Sequence, residues 1–118
     1  NADDTTRPFA EALKGRLGPG DQVFLYDDPG AFYDFRFYLD RPVRLAGMEG
    51  ELKLAAGDEE VMTASVPQDR FLKMLEGDRR IYCLMRQSDF SGLDPALRAR
   101  LRVVLEDGRK VLAQAGTL

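Results

Sequence analysis

The sequence predicts an α/β fold: a three-layer helix–sheet–helix domain with a mostly parallel central sheet and a C-terminal antiparallel hairpin. Three observations predict it. Residues 21–47 read as an apolar strand, an aromatic-laden helix and a second short strand, DQVFLYDD, PGAFYDFRFYLD and RPVRLAG. A strand–helix–strand unit of this size belongs to a parallel sheet covered by helices. Further on, residues 80–86 form a third apolar strand. Finally, Asp107-Gly108 separates the apolar runs 103–105 and 111–113, a strong hairpin signal that implies a type I′ turn.

The elements follow in order. A first helix is expected over residues 8–17, capped by Thr6, with Pro8 in the first turn where its missing N–H costs nothing. Phe9, Leu13 and Leu17 give it one apolar face, and Gly18-Pro19-Gly20 ends it. Residues 23–26 are a continuous apolar run, as in a strand buried on both faces. Asp27-Asp28-Pro29-Gly30 breaks that strand.

The second helix is expected over 31–39, with Phe32, Phe35 and Leu39 on one face and Tyr33 and Phe37 on an adjacent one. Five of the seven residues from 32 to 38 are aromatic. A solvated helix has no need of so much ring surface, so this one packs on two sides or offers rings to a partner. Arg41-Pro42 ends it, and 43–46 make the second strand.

Beyond Gly47 the pattern weakens. Residues 51–56 suggest a short helix and 58–60 an acidic turn. Ser65 with Gln68 fits a capping box, with Pro67 in the first turn. Phe71, Leu72 and Leu75 form the face of that helix, which Gly77 closes. Asp94-Pro95 starts another helix, with Leu97 and Leu101 one turn apart. Right-handed crossovers put the first strand in the middle, with the second and third on either side.

The chain has 118 residues, 44% apolar and 31% charged, with net charge −3. A chain this long buries roughly two thirds of its unfolded surface in one core. The acidic balance argues against a nucleic-acid partner. No apolar run approaches the ~20 residues that cross a bilayer, so the chain reads as soluble. Asn1 and Ala2 read as the scar of a cleaved purification tag, set apart from the fold.

Candidate chemistry is sparse, and no catalytic, cofactor-binding or metal-ligating residue is assigned. Histidine is absent, which excludes Ser-His-Asp and Cys-His nucleophiles. Cys83, the single cysteine, lies in an apolar run and reads as a buried structural thiol. Zinc would need several Cys or His ligands. Gly18-Pro19-Gly20 precedes a strand and is no phosphate loop.

Asp27 and Asp28 follow the first strand at the carboxyl end of a parallel sheet, where ligands prefer to bind. Two carboxylates there could hold a divalent cation, as in a receiver-like signalling domain. Against this, the third strand ends in Met85-Arg86-Gln87-Ser88, Asp89 comes late, and Lys110 lies inside the hairpin. Glu49, Glu51, Glu59 and Glu60 flank a loop, and a paired-carboxylate mechanism would need one of them buried. Arg79, Arg80, Arg86, Arg98, Arg100 and Arg102 enrich the C-terminal half. They read as a solvated face, with anionic lipid headgroups or phosphate as the alternative.

Residues 6–47 also carry a resemblance. Arg7-Pro8, Leu13, Pro19-Gly20-Asp21, Tyr26 and Phe37-Tyr38-Leu39-Asp40-Arg41-Pro42-Val43 resemble the C-terminal soluble region of polytopic glycosyltransferases. These are the bacterial enzymes similar to aminoarabinose (4-amino-4-deoxy-L-arabinose) transferase and protein mannosyltransferases. Gly50-Glu51-Leu52, the helix-to-strand segment 71–86 and the closing hairpin continue the match over nearly the whole chain. Met48-Glu49 stands where such proteins vary, and the resemblance gives Cys83 no role.

The resemblance implies a membrane-embedded parent enzyme. Such a parent moves a sugar from a polyprenyl-phosphate carrier to a lipid, of the lipid A kind, or to a protein. It implies that residues 3–118 are a single α/β domain excised from that parent, lying on the periplasmic side of the inner membrane and not itself catalytic. Its partners would be its own transmembrane domain and the membrane headgroup region. A divalent metal assists some members of the family, with no ligand for it identified in this chain. The alternatives are the receiver-like domain using Asp27 and Asp28, and a stand-alone interaction module.

Overall fold

Val23, Phe24, Leu25 and Tyr26 are all buried, which a strand achieves only when both faces of its sheet are covered. The computed structural model describes residues 6–47 and 65–117, the side chains of Pro29 and Phe32 excepted. Within them, β1 (Gln22–Tyr26) lies between β2 (Arg44–Ala46) and β3 (Ile81–Arg86) and is parallel to both. Leu25 sits opposite Leu45 on one side and Leu84 on the other. β5 (Lys110–Ala115) runs antiparallel to β3, and β4 (Arg102–Glu106) antiparallel to β5. The five-stranded order is β2-β1-β3-β5-β4. The expected placement of the first three strands and the closing hairpin are both present.

Side chains alternate across the sheet with period two. Val23, Leu25, Tyr82, Leu84 and Leu112 meet Phe9 and Leu13 of α1 (Arg7–Lys14) and Phe35 and Leu39 of α2 (Phe32–Leu39). Phe24, Tyr26, Ile81, Cys83 and Met85 point the other way, toward Phe71 and Leu75 of α3 (Gln68–Leu75) and toward Leu93 and Leu97. Short helices α4 (Gln87–Ser91) and α5 (Pro95–Arg100) complete that second layer. The fold is therefore the predicted helix–sheet–helix sandwich. Each large apolar side chain fully withdrawn from water contributes about 1.5–3 kcal/mol, so the paired cores supply most of the drive to fold. The Phe71 ring lies 4.8 Å from Phe24 and 5.7 Å from Tyr26, centroid to centroid.

Several local expectations are corrected. The first helix ends at Lys14, three residues early, although Leu17 still packs partly against the core. Thr6 stands at the N-cap position, but its fully buried hydroxyl donates to the Asp34 carboxylate of α2 and not to its own helix. A charged acceptor is the stronger partner. The N-cap of α3 is Pro67, with no side-chain cap bond, and Gln68 Nε2 donates to the Tyr26 hydroxyl at 2.8 Å. A 3₁₀ turn, Pro29–Ala31, precedes α2.

The hairpin turn centres on Gly108-Arg109, closed by Asp107 N–H donating to the Lys110 carbonyl at 3.2 Å. Only Gly108 has a positive φ there, +90°, where type I′ needs two such residues. Asp94 does cap α5, accepting from Ala96 N–H at 3.2 Å. The expected helix over 51–56, the turn over 58–60, the four loop glutamates and Asn1-Ala2 lie outside the described residues.

Candidate functional site

Two regions invite attention: the carboxyl edge of the parallel strands and the outer face of α2. At the first, the chain leaves β1 through Asp27, held at φ +50° with its N–H donating to Ala46 carbonyl at 2.8 Å. This is the sparsely populated left-handed region, which aspartate tolerates better than most residues. Asp27 faces Arg86 at 3.3 Å, and Arg86 also binds Asp89 at 3.0 Å. Asp28 meets Lys110 at 2.6 Å.

The two aspartates therefore face cations of the protein itself. Among the described residues, no three acidic, cysteine or histidine side chains are grouped to hold a metal ion. A doubly wound receiver would also need an all-parallel sheet in the order 2-1-3-4-5, whereas here β5 is antiparallel and lies inside β4. Lys110 falls inside the hairpin and not after a parallel strand, yet that hairpin delivers it to Asp28. Nothing local in the sequence announces a contact across 82 residues.

Tyr26 and Cys83 lie beneath this edge. Burial is the main cause that raises the Tyr26 phenol above its ordinary value, partly offset by the hydrogen bond from Gln68. Burial likewise pushes the Cys83 thiol well up. It is a buried thiol in β3, as read from the sequence, and far from the thiolate character that reactivity requires.

The arginine-rich half does not form a solvated face alone. Arg98 donates to the Ser91 and Leu93 carbonyls at 2.8 and 3.1 Å, Arg100 to Glu76 carbonyl at 2.6 Å, and Arg80 to Thr117 carbonyl at 3.1 Å. These guanidinium groups tie loop carbonyls together, a use their fixed fork of donors suits. Arg79 and Arg102 stand exposed.

The second region is built by the periodicity of α2. Phe35 and Leu39, four apart, enter the core; Tyr33 and Phe37, also four apart, face outward with 52% and 76% of their surfaces exposed. The helix closes at Asp40, whose φ of +57° places it in the left-handed region and whose N–H donates to Arg36 carbonyl at 3.0 Å. Arg41 then reaches back to the Gly18 and Asp21 carbonyls at 2.9 and 3.2 Å. That contact pins the end of α2 to the turn after α1. Phe37 lies edge-on to Tyr38 at 5.4 Å, and Arg7 sits 5.6 Å from the Tyr38 ring centroid.

The result is an open hollow of about 780 Å³ whose walls include Tyr33, Phe37 and Tyr38 with Lys14, Arg36 and Arg41. The sequence anticipated the excess of rings; the structure shows which of them face outward. What this face can do chemically is bind. It offers ring surface beside cations, and nothing at it resembles a nucleophile paired with a base.

No family model matches the chain, and no curated protein matches it. Among solved structures, it is similar in fold to ArnT from Cupriavidus metallidurans, an aminoarabinose transferase, bound to undecaprenyl phosphate. That match has a TM-score of 0.73 at 22% identity, over 99% of this chain and 22% of that one. The same protein in its apo state gives a TM-score of 0.73 at 23% identity with the same coverage. The chain thus spans about a fifth of the length of ArnT, and the likeness is one of fold. No described helix is long and apolar enough to cross a membrane.

Proposed function

We propose that this chain is the extracytoplasmic accessory domain of an integral-membrane glycosyltransferase. On this reading the parent transfers a sugar from a polyprenyl-phosphate donor to a lipid A-like lipid or to a protein, on the periplasmic side of the inner membrane. One observation carries it. Essentially the entire chain, 99% of it, superposes on a 22% portion of a much longer protein that was solved with undecaprenyl phosphate bound. A domain matched so completely, as one part of something larger, is best understood as that part.

Chemistry agrees with an accessory role. At the sheet edge that serves as a ligand crevice in open α/β folds stand the withdrawn Lys110–Asp28 pair and the part-exposed Arg86–Asp27 pair. The partners of the domain are then its own membrane-embedded portion and the headgroup region beside it, and any divalent metal would belong to the parent. A stand-alone interaction module would use the same α2 face. Its receiver-like rival has lost its two aspartates to ion pairs.

The test has two parts. The gene is expected to encode apolar stretches of ~20 residues on the same polypeptide, and the isolated domain is expected to show no sugar transfer from a polyprenyl-phosphate donor. A reading frame without such stretches, or measurable turnover by the domain alone, overturns the proposal.

A further inference from the structure

We infer that the outer face of α2 rests on an anionic lipid headgroup layer, with Phe37 entering it and Lys14, Arg36 and Arg41 facing the phosphates. This deepens the function proposed above and rests on it for the nearness of a bilayer.

Three observations converge. First, Phe37 is 76% exposed and Tyr33 52%, on a helix whose opposite side is locked into the core by Phe35 and Leu39. Tyr33, with an apolar ring and a polar hydroxyl, suits the boundary between lipid and water, and the wholly apolar ring of Phe37 suits the acyl side of it. Second, charge is segregated. The chain as a whole carries −3, which an anionic surface repels, yet among the described residues that line this hollow Lys14, Arg36 and Arg41 stand with one carboxylate, Asp40. A net-negative protein approaches an anionic surface favourably only through such a face. Third, one corner of the face is already held. Arg41 is tied to the Gly18 and Asp21 carbonyls, and it keeps further N–H groups for a phosphate. Little ordering remains at Arg41 to oppose binding.

The sequence contains no tryptophan, so a Phe37→Trp variant is a single reporter at an exposed position. Val103→Trp, on the exposed part of β4, is the control. Emission of the Phe37→Trp protein is expected to move to the blue on vesicles of phosphatidylcholine mixed with phosphatidylglycerol. It should also be quenched by brominated acyl chains, and should respond far less to phosphatidylcholine alone. Emission from the Val103→Trp protein should stay put. Adding Lys14→Ala to Phe37→Trp should weaken the titration roughly fivefold, the share of one basic side chain near an anionic surface.

An unmoved Phe37→Trp emission on anionic vesicles overturns the inference and assigns the face to a protein partner. Equal shifts at positions 37 and 103, or indifference to Lys14→Ala, overturn it too. These readings are separate from the parent's architecture. Apolar spans in the gene with no spectral shift remove this inference and leave the accessory domain standing; a shift without such spans does the reverse.

Discussion

Lys110 Nζ lies 2.6 Å from Asp28 Oδ2, and the pair joins the loop after β1 to the start of β5. Both side chains are largely withdrawn from water, at 12% and 16% exposure. Removing one member of a buried pair costs about 3–5 kcal/mol because the other charge is stranded. With the water that remains here, Lys110→Met is expected to cost about 2 kcal/mol in denaturant unfolding. Adding Asp28→Asn should return part of that loss. A double mutant no more stable than Lys110→Met would show that the pairing is not what holds this corner.

Phe35 and Phe37 sit two residues apart on α2 and report opposite environments. Phe35 is fully buried, and Phe35→Ala should cost about 3–5 kcal/mol. Phe37→Ala should stay within about 0.5 kcal/mol, as an exposed substitution does. Thermal or urea melts of the two variants check this directly. Comparable losses at both sites would mean that Phe37 is covered in the free domain.

Gly108 and Gly116 both have positive φ, at +90° and +73°, yet they differ in surroundings. A Cβ on Gly108 meets nothing within 4 Å, whereas one on Gly116 falls 2.0 Å from the Arg79 carbonyl oxygen. Gly108→Ala should therefore cost about 1–2 kcal/mol for the left-handed backbone alone. Gly116→Ala should cost more, because backbone must also move. Equal midpoints for the two variants in urea would contradict this.

Asp107 contributes to the hairpin's response to acid. Its partial burial favours the protonated form, but hydrogen bonds from Lys110 and Arg109 N–H, with their charges, outweigh that and hold the carboxyl below its usual value. A depressed carboxyl contributes stability above its unfolded pKa, about 3.9, and loses it as pH falls through the lower folded value. Stability should thus drop below about pH 4 in the native protein, and Asp107→Asn should lose that share of the slope. Urea midpoints measured across this range settle it; a slope unchanged by Asp107→Asn would be the contrary result.

Much of the fold was legible because its signals are local. Residues 23–26 and 81–85 are apolar without interruption, and burial on both faces is what such strands require. Asp107-Gly108 announced the hairpin, though its turn type escaped because Arg109 keeps a negative φ. Capping is less legible. Thr6 and Gln68 have hydroxyl and amide groups that suit a local cap, but Asp34 and Tyr26 compete for them from elsewhere in the chain. The sequence has no means of ranking such distant rivals. Lys110 and the carbonyl-binding arginines escaped for the same reason. The aromatic excess of α2 was plain, whereas its division into core and outer face needed the orientation of the helix.

The order of the strands sets a schedule for biosynthesis. β5 is the last of the described strands to be made, yet it belongs to the interior of the sheet, beside β3. Until it arrives, β3 exposes a row of unpaired amides and carbonyls along an apolar strand, the kind of edge that recruits other chains. A released chain that stops short of residue 110 would keep that edge open. Truncations that remove β5 should therefore be felt first as poor soluble yield.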